Sequence, residues 1–245
     1  MRQGSPILAL RGVTRRFGGL VAVDALDFDV EPNAVLGLIG PNGSGKSTTL
    51  NVISGALQPS AGEITLRGQA IAGLPARTIA RRGVGRTFQL VRLLASMTVE
   101  ENVVAGAVFG HRRRWGTDAR RVARELLERV GLAGKGHLRV GQLTYIDTKR
   151  VELARVLASD PEILLLDEWL AGLNPTELAI GIELIRSLKA EGRTIVLVEH
   201  VMDAIRSLSD RCVVMASGAK IAEGTPDEVL SDREVIRAYL GDDDA

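Results

Sequence analysis

The sequence predicts an α/β protein with a three-layer core around a parallel sheet, an antiparallel β edge near its start and an inserted helical subdomain. Three observations carry this expectation. The apolar run Val35–Ile39 leads directly into the glycine-rich stretch Gly40-Pro41-Asn42-Gly43-Ser44-Gly45-Lys46-Ser47-Thr48, and a helical stretch follows, the strand-loop-helix order of a phosphate-binding loop. Apolar strands and amphipathic helices alternate again from Ile163 onward, the pattern of a parallel sheet covered by helices. Between them, from about residue 91 to residue 159, the pattern is helical.

In chain order, residues 7–13 and 26–30 read as strands, the second alternating Leu26, Phe28 and Val30 with Asp27 and Asp29. These supply the antiparallel edge. Val35–Ile39 is apolar throughout, as a strand buried on both faces requires. Residues 47–54 form a helix closed by Gly55, and a short strand lies between Gly62 and Gly68. In the helical stretch Val122, Leu126 and Val130 share one face and Gly131 stops the helix; a further helix spans residues 149–158. Then come the strand Ile163–Asp167, a helix through Leu178, Ile182, Ile185 and Leu188, and the strand Thr194–Val198. Asn174 followed by Pro175 reads as an N-cap and first helical residue. Thr225 with Glu228, and Ser231 with Glu234, read as capping boxes of two terminal helices. Residues 1–245 are therefore read as one domain, with 1–90 and 160–245 as the core and 91–159 as the helical subdomain.

The glycine-rich stretch fits G-x-x-x-x-G-K-[ST], which defines a P-loop NTPase core. Its glycines let the backbone curl so that N–H groups and a helix N-terminus face one anion, Lys46 meets the β- and γ-phosphates and Ser47 can ligate Mg²⁺. A nucleoside triphosphate is the expected ligand. The strand Ile163–Asp167 ends in the pair Asp167-Glu168, and carboxylates at the C-terminal edge of a parallel sheet project into the ligand crevice. Asp167 is placed for the Mg²⁺ shell and Glu168 to polarise the attacking water. His200 follows the strand Thr194–Val198, where an imidazole can donate to charge developing on the γ-phosphate.

Composition narrows the partners. A formal net charge of +1 over 245 residues leaves no basic excess for a nucleic-acid backbone, and 45% hydrophobic residues suffice for a large core. The single cysteine, Cys212, lies in an apolar run and reads as a small buried hydrophobe. Nowhere do about 18 apolar residues run together, and no signal peptide is recognisable. The basic cluster His111-Arg112-Arg113-Arg114-Trp115 reads as a solvated face, with a membrane contact as the alternative. The end Asp242-Asp243-Asp244 is acidic.

These residues resemble the nucleotide-binding subunit of an ATP-binding cassette (ABC) transporter over nearly the whole chain. The likeness lies in the phosphate loop at 40–48, the acidic strand end at 163–168, Gln89 within Arg86-Thr87-Phe88-Gln89, the histidine at 200 and the aromatic Phe17. It implies ATP and Mg²⁺ as cofactors, with Phe17 stacking on adenine beside residues 40–48. Glu168, His200 and Lys46 are implied as catalytic, and Ser47, Asp167 and Gln89 as the metal site, Gln89 also linking it to the membrane partner. Phe17-Gly18-Gly19-Leu20-Val21-Ala22-Val23, Met97-Thr98-Val99-Glu100-Glu101-Asn102, Ala171-Gly172-Leu173-Asn174-Pro175 and Ala238-Tyr239-Leu240-Gly241 look like the branched-chain amino acid importer subgroup. That implies a second, different ATPase subunit, two transmembrane permease subunits, a periplasmic solute-binding protein acting indirectly, and a peripheral place on the cytoplasmic face of the inner membrane. Subgroup members also carry urea, amides or aromatic acids. A soluble ABC ATPase for DNA repair or translation would need a coiled-coil insertion or a tandem cassette, and this chain has neither.

One segment departs from the family pattern. Where the family carries Leu-Ser-Gly-Gly-Gln or a close variant, this chain has Leu143-Thr144-Tyr145-Ile146-Asp147. In ABC dimers that signature closes over the γ-phosphate held by the other chain. Here Ile146 is expected to obstruct the approach and Asp147 to repel the phosphate. One expectation is an asymmetric dimer in which the site completed by residues 144–147 turns over poorly, with a regulatory ATP-binding subunit as its extreme form; the other is a tolerated subgroup variant with ordinary activity. Trp169, where a proline is common, is expected to pack beside the site.

Overall fold

Two sheets divide the β structure of the computed structural model, which describes residues 5–240. Strands β1 (Leu8–Phe17) and β2 (Leu20–Val30) form a hairpin, and β1 pairs on its other side with β4 (Ala61–Leu66), which pairs with β5 (Gln69–Ala70). All these pairings are antiparallel. The expected antiparallel edge is thus a sheet of its own, not an edge of the parallel one. Both hairpin strands run longer than their alternation suggests, because register shifts between Leu10 and Val13, Val13 and Arg15, and Arg15 and Arg16 break the period of two while pairing continues.

The second sheet has six strands, with β3 (Val35–Ile39) near its middle. On one side of it lie β9 (Arg211–Ala216) and β10 (Ala219–Gly224), and on the other β8 (Thr194–Val198), β7 (Ile163–Asp167) and β6 (Val84–Arg86), in the order β10-β9-β3-β8-β7-β6. All neighbours are parallel except β10 on β9. Every residue of β3, β7 and β8 is buried, as central strands covered on both faces must be. Side chains alternate accordingly. Leu36, Leu38, Leu165, Val196 and Val198 enter a core shared with the antiparallel sheet and helix α1 (Lys46–Ile53). Val35, Ile39, Leu164, Leu166, Ile195 and Cys212 enter a second core on the opposite face. Cys212 is buried there, and desolvation pushes its thiol pKa up to about 11.

Helix α2 (Ala76–Arg81) precedes β6. The middle of the chain holds α3 (Val99–Phe109), α4 (Gly116–Arg129) and α5 (Tyr145–Ala158), around a third apolar cluster. The buried stripe of α4 is Ala119, Ala123 and Leu127, one position round from the expected face, with Val122 and Leu126 half-buried at its border. Helix α5 has two apolar faces: Val151, Ala154 and Ala158 join the third cluster, and Leu153, Val156 and Leu157 join the second core. It also begins at Tyr145 rather than at 149, because the Thr144 hydroxyl accepts the Asp147 N–H at 3.3 Å and caps it. Asp160, just beyond it, pairs with Arg112, Arg114 and Arg193 at 3.4, 3.5 and 3.2 Å, so part of the basic cluster binds the core rather than standing free.

Four helices complete the described residues: α6 (Pro175–Ala190), α7 (Met202–Leu208), α8 (Pro226–Leu230) and α9 (Arg233–Leu240). Asn174 caps α6 in a reciprocal box with Glu177, with Pro175 in the first turn, and Thr225 caps α8 with Glu228 in the same way. Ser231 does not cap α9. Its hydroxyl donates to the Asp227 and Glu228 carbonyls, and Asp232 instead accepts the N–H groups of Glu234 and Val235. No helix among the described residues is long and apolar enough to cross a membrane. Gly241 and Asp242, Asp243 and Asp244 lie outside the described residues.

Candidate nucleotide and hydrolysis site

The loop between β3 and α1 has the shape of an anion cradle. Gly40 and Gly45 adopt φ of +146° and +103°, and a Cβ would lie 2.0 Å from the Met215 carbonyl at Gly40 and 2.4 Å from the Ala22 carbonyl at Gly45. Gly43 adopts φ +79° with open space about it. Only glycine serves at the first two positions. Gly45 is the N-cap of α1 and has no side chain to occupy the first N–H groups of that helix, which therefore point into the cradle as donors. The Ser44 N–H donates to the Pro41 carbonyl at 3.2 Å and the Ser44 carbonyl accepts the Gly218 N–H at 3.1 Å, so the loop is pinned to the turn after β9. Lys46 is buried, donating to the carbonyls of Gly40 at 2.8 Å and Pro41 at 2.9 Å. Burial lowers its pKa, against the opposing fields of Glu168 and Asp167.

Asp167 ends β7 beside this loop. Its Oδ2 accepts from the Arg86 guanidinium at 2.8 Å, with both side chains buried, and its Oδ1 accepts from the Ser47 hydroxyl at 3.3 Å. Arg86 also donates to Asn51 and Ser54 of the helix-α1 turn region. Desolvation lowers the guanidinium pKa and the hydrogen bond to Asp167 raises it. A hydroxyl and a carboxylate oxygen at this separation suit neighbouring positions of an octahedral cation with bonds of about 2.1 Å, the arrangement Mg²⁺ takes with one or two protein oxygens and substrate phosphates.

Glu168 follows with φ +49°, a left-handed conformation that costs a non-glycine residue about 1–3 kcal/mol unless its surroundings impose it. Its Oε2 accepts from Gln89 Nε2 at 2.7 Å and its Oε1 lies 3.0 Å from His200 Nε2. Two residues drawn from separate parts of the sequence thus meet on one carboxylate. The loop that carries Gln89 is tied to α5 by Glu152, a buried side chain that accepts the N–H groups of Phe88 at 3.3 Å and Arg92 at 3.0 Å; burial raises its pKa. Trp169 is buried, as expected of a packing residue.

Arg86, Lys149, Glu152 and Glu199 are the polar residues that the sequence does not single out. Glu199 is wholly buried, its Oε1 accepts the Leu170 N–H at 2.7 Å, and desolvation pushes its pKa up to about 7. The folded state therefore binds more protons than the unfolded chain between the ordinary value of 4.5 and about 7, so Glu199 makes stability fall as pH rises through that window. A difference of about 2–3 kcal/mol between pH 5 and pH 8 is expected from this group. Denaturant titrations at the two pH values should show that component in the parent and not in Glu199→Gln.

Phe17 stands 42% exposed at the end of β1, with the Arg15 guanidinium 4.5 Å from its ring centre. It is no core aromatic. Its hairpin partner β2 carries Ala22, whose carbonyl touches the position of Gly45. At the degenerate signature, Leu143 is half-buried against the third cluster and Thr144 and Tyr145 are exposed. Ile146 and Asp147 are buried, and Asp147 is paired with Lys135 at 2.6 Å and Arg150 at 3.5 Å. Helix α5 starts early enough to turn both residues inward, and two cations flank the Asp147 carboxylate.

A family model described as ABC transporter matches residues 23–171, and one described as branched-chain amino acid ATP-binding cassette transporter matches residues 219–245. The chain is 42% identical to the high-affinity branched-chain amino acid transport ATP-binding protein LivG of Escherichia coli (strain K12), across 97% of this chain and 98% of that protein. An ATP-binding cassette of an ABC transporter, solved in its ADP conformation, superposes with a TM-score of 0.88 at 30% identity, covering 97% of this chain and all of that one. Another cassette, solved as a dimer in a post-hydrolysis state bound to ADP and Pi, gives a TM-score of 0.81 at 26% identity over 89% of this chain and 98% of that one.

Proposed function

The chain belongs to the ATP-binding subunits of ABC transporters, and we propose from that premise that its ATP hydrolysis drives uptake of branched-chain amino acids across the inner membrane. One observation carries the catalytic assignment: the Glu168 carboxylate is held by Gln89 and His200 at the sheet edge, beside a phosphate loop whose Ser47 touches Asp167. Phe17 stacks on adenine. Gly40, Pro41, Asn42, Gly43, Ser44, Gly45, Ser47 and Thr48 wrap the phosphates with backbone N–H groups, and Lys46 leaves its loop carbonyls to meet the β- and γ-phosphates. Ser47 and Asp167 would hold Mg²⁺, with the amide oxygen of Gln89 available as a further ligand; the bound ion neutralises phosphate charge. Glu168 takes the proton of the attacking water, and His200 orients that carboxylate and donates toward the charge gathering on the γ-phosphate.

The structural divisions acquire roles in this scheme. Residues 1–90 and 160–245 hold the nucleotide, and 91–159 pass its state from Gln89 to two membrane permeases at the cytoplasmic face, while a periplasmic binding protein delivers the solute. The second cassette of the pair is a different ATPase chain, as in the subgroup this chain resembles. The exposed Thr144-Tyr145 end of α5 faces the phosphate bound to that partner. Since Ile146 and Asp147 point inward, the pair Ile146→Gly and Asp147→Gln is expected to leave turnover of the assembled complex within about threefold of the parent. A gain of tenfold or more would restore the case for an inactive second site.

The test of the function is phosphate release from ATP by the complex purified through this chain. Release should stop on chelation of Mg²⁺ and return when the ion is restored. Release indifferent to Mg²⁺ would contradict the proposed site.

A further inference from the structure

Beyond Glu168 the chain enters a segment gripped by two buried charges that the hydrolysis scheme does not use. Lys149, on α5, is 1% exposed and donates to the carbonyls of Glu168 at 3.2 Å and Trp169 at 2.9 Å. Glu199, immediately before His200, accepts the next N–H, that of Leu170, at 2.7 Å. The Trp169 indole N–H returns a hydrogen bond to the Lys149 carbonyl at 3.2 Å, and the Glu168 N–H donates to the Val198 carbonyl at 2.9 Å. The remaining face of the Lys149 ammonium lies 5.1 Å from the centre of the Tyr145 ring.

We propose that Lys149 and Glu199 are positioning residues for Glu168, clamping the backbone just beyond it so that its carboxylate meets Gln89 and His200. Burying an ammonium and a carboxyl group is costly, and an apolar pair would fill the same space at less cost. Glu199 even leaves its Oε2 without a hydrogen-bond partner. What the two groups supply is fixed direction for two successive peptide units, 168–169 through its carbonyl and 169–170 through both its carbonyl and its N–H. Glu168 needs it, because its φ of +49° persists only where the surroundings over-determine the backbone. Released from Lys149, residue 168 relaxes toward ordinary φ and swings its carboxylate off its two partners. The phosphate loop makes none of these contacts, so ATP affinity is left unchanged.

This rests on Glu168 being the general base, and the test separates the two ideas. In the assembled complex, Lys149→Met is expected to lower kcat for ATP ten- to a hundredfold, the loss expected of a reacting group displaced by about 1 Å, with KM within twofold of the parent. Lys149→Arg, which can still donate to both carbonyls, should recover kcat to within about threefold. In the purified full-length chain, amide exchange over residues 167–171 should be at least tenfold faster in Lys149→Met than in the parent, with residues 40–48 unchanged. Parental kcat in Lys149→Met, a rise in KM alone, a loss in Lys149→Arg as deep as in Lys149→Met, or unchanged exchange at 167–171 overturns the clamp. If parent and Glu168→Gln hydrolyse ATP equally, the base assignment fails instead, and the exchange measurement still decides whether the clamp exists.

Discussion

Glu168→Gln is expected to lower ATP turnover of the assembled complex by about 10²–10⁴-fold, the range for removal of a positioned general base, while ATP binding persists. Gln is nearly isosteric and its amide oxygen can still accept the Gln89 N–H that now donates at 2.7 Å. It has no basicity to take a proton from water. The variant keeps Lys46, Ser47 and Asp167 in place, so the complex should bind ATP and hold it uncleaved. Filter retention of labelled ATP beside phosphate release distinguishes this from a folding defect, which would lose both.

Lys46→Ala should give the opposite pattern, with ATP affinity falling about 30-fold or more. Removing one partner of a buried, charge-assisted contact costs roughly 2–5 kcal/mol, and Lys46 is the one phosphate-loop side chain carrying a positive charge. The substitution also strips the Gly40 and Pro41 carbonyls of the donor they have at 2.8 and 2.9 Å, so the loop loses part of its own scaffold. Titration calorimetry with ATP on the purified chain gives the number directly. Affinity within threefold of the parent would show that Lys46 serves the loop rather than the nucleotide.

Much of this site is legible in the sequence because its chemistry is local. The phosphate loop is one contiguous string, and the geometry of Gly40 and Gly45 explains why those positions need glycine. Asp167, Glu168 and His200 follow apolar strands whose parallel neighbours could be inferred from alternation, and β7 and β8 run in register from Ile163 opposite Thr194 to Asp167 opposite Val198. The supports were hidden for an equally physical reason. Arg86, Lys149, Glu152 and Glu199 find their partners 81, 19, 64 and 29 positions away, and Lys149 and Glu152 sit in α5 at a spacing that looks like an ordinary solvated stripe. Both are buried instead, because α5 packs between two cores. The same helix explains where the signature residues lie. A start at 149 would have left Ile146 and Asp147 in a surface loop, whereas the cap at Thr144 winds them inward. In the antiparallel sheet, bulges erased the alternation by which strand ends are recognised.

The most direct test of the central claim is uptake of labelled leucine, isoleucine and valine by cells that depend on this chain, carrying either the parent or Glu168→Gln at equal abundance. Accumulation with the parent and none with Glu168→Gln is the expected result. Equal accumulation with both would contradict the claim that hydrolysis at Glu168 drives the import of these amino acids.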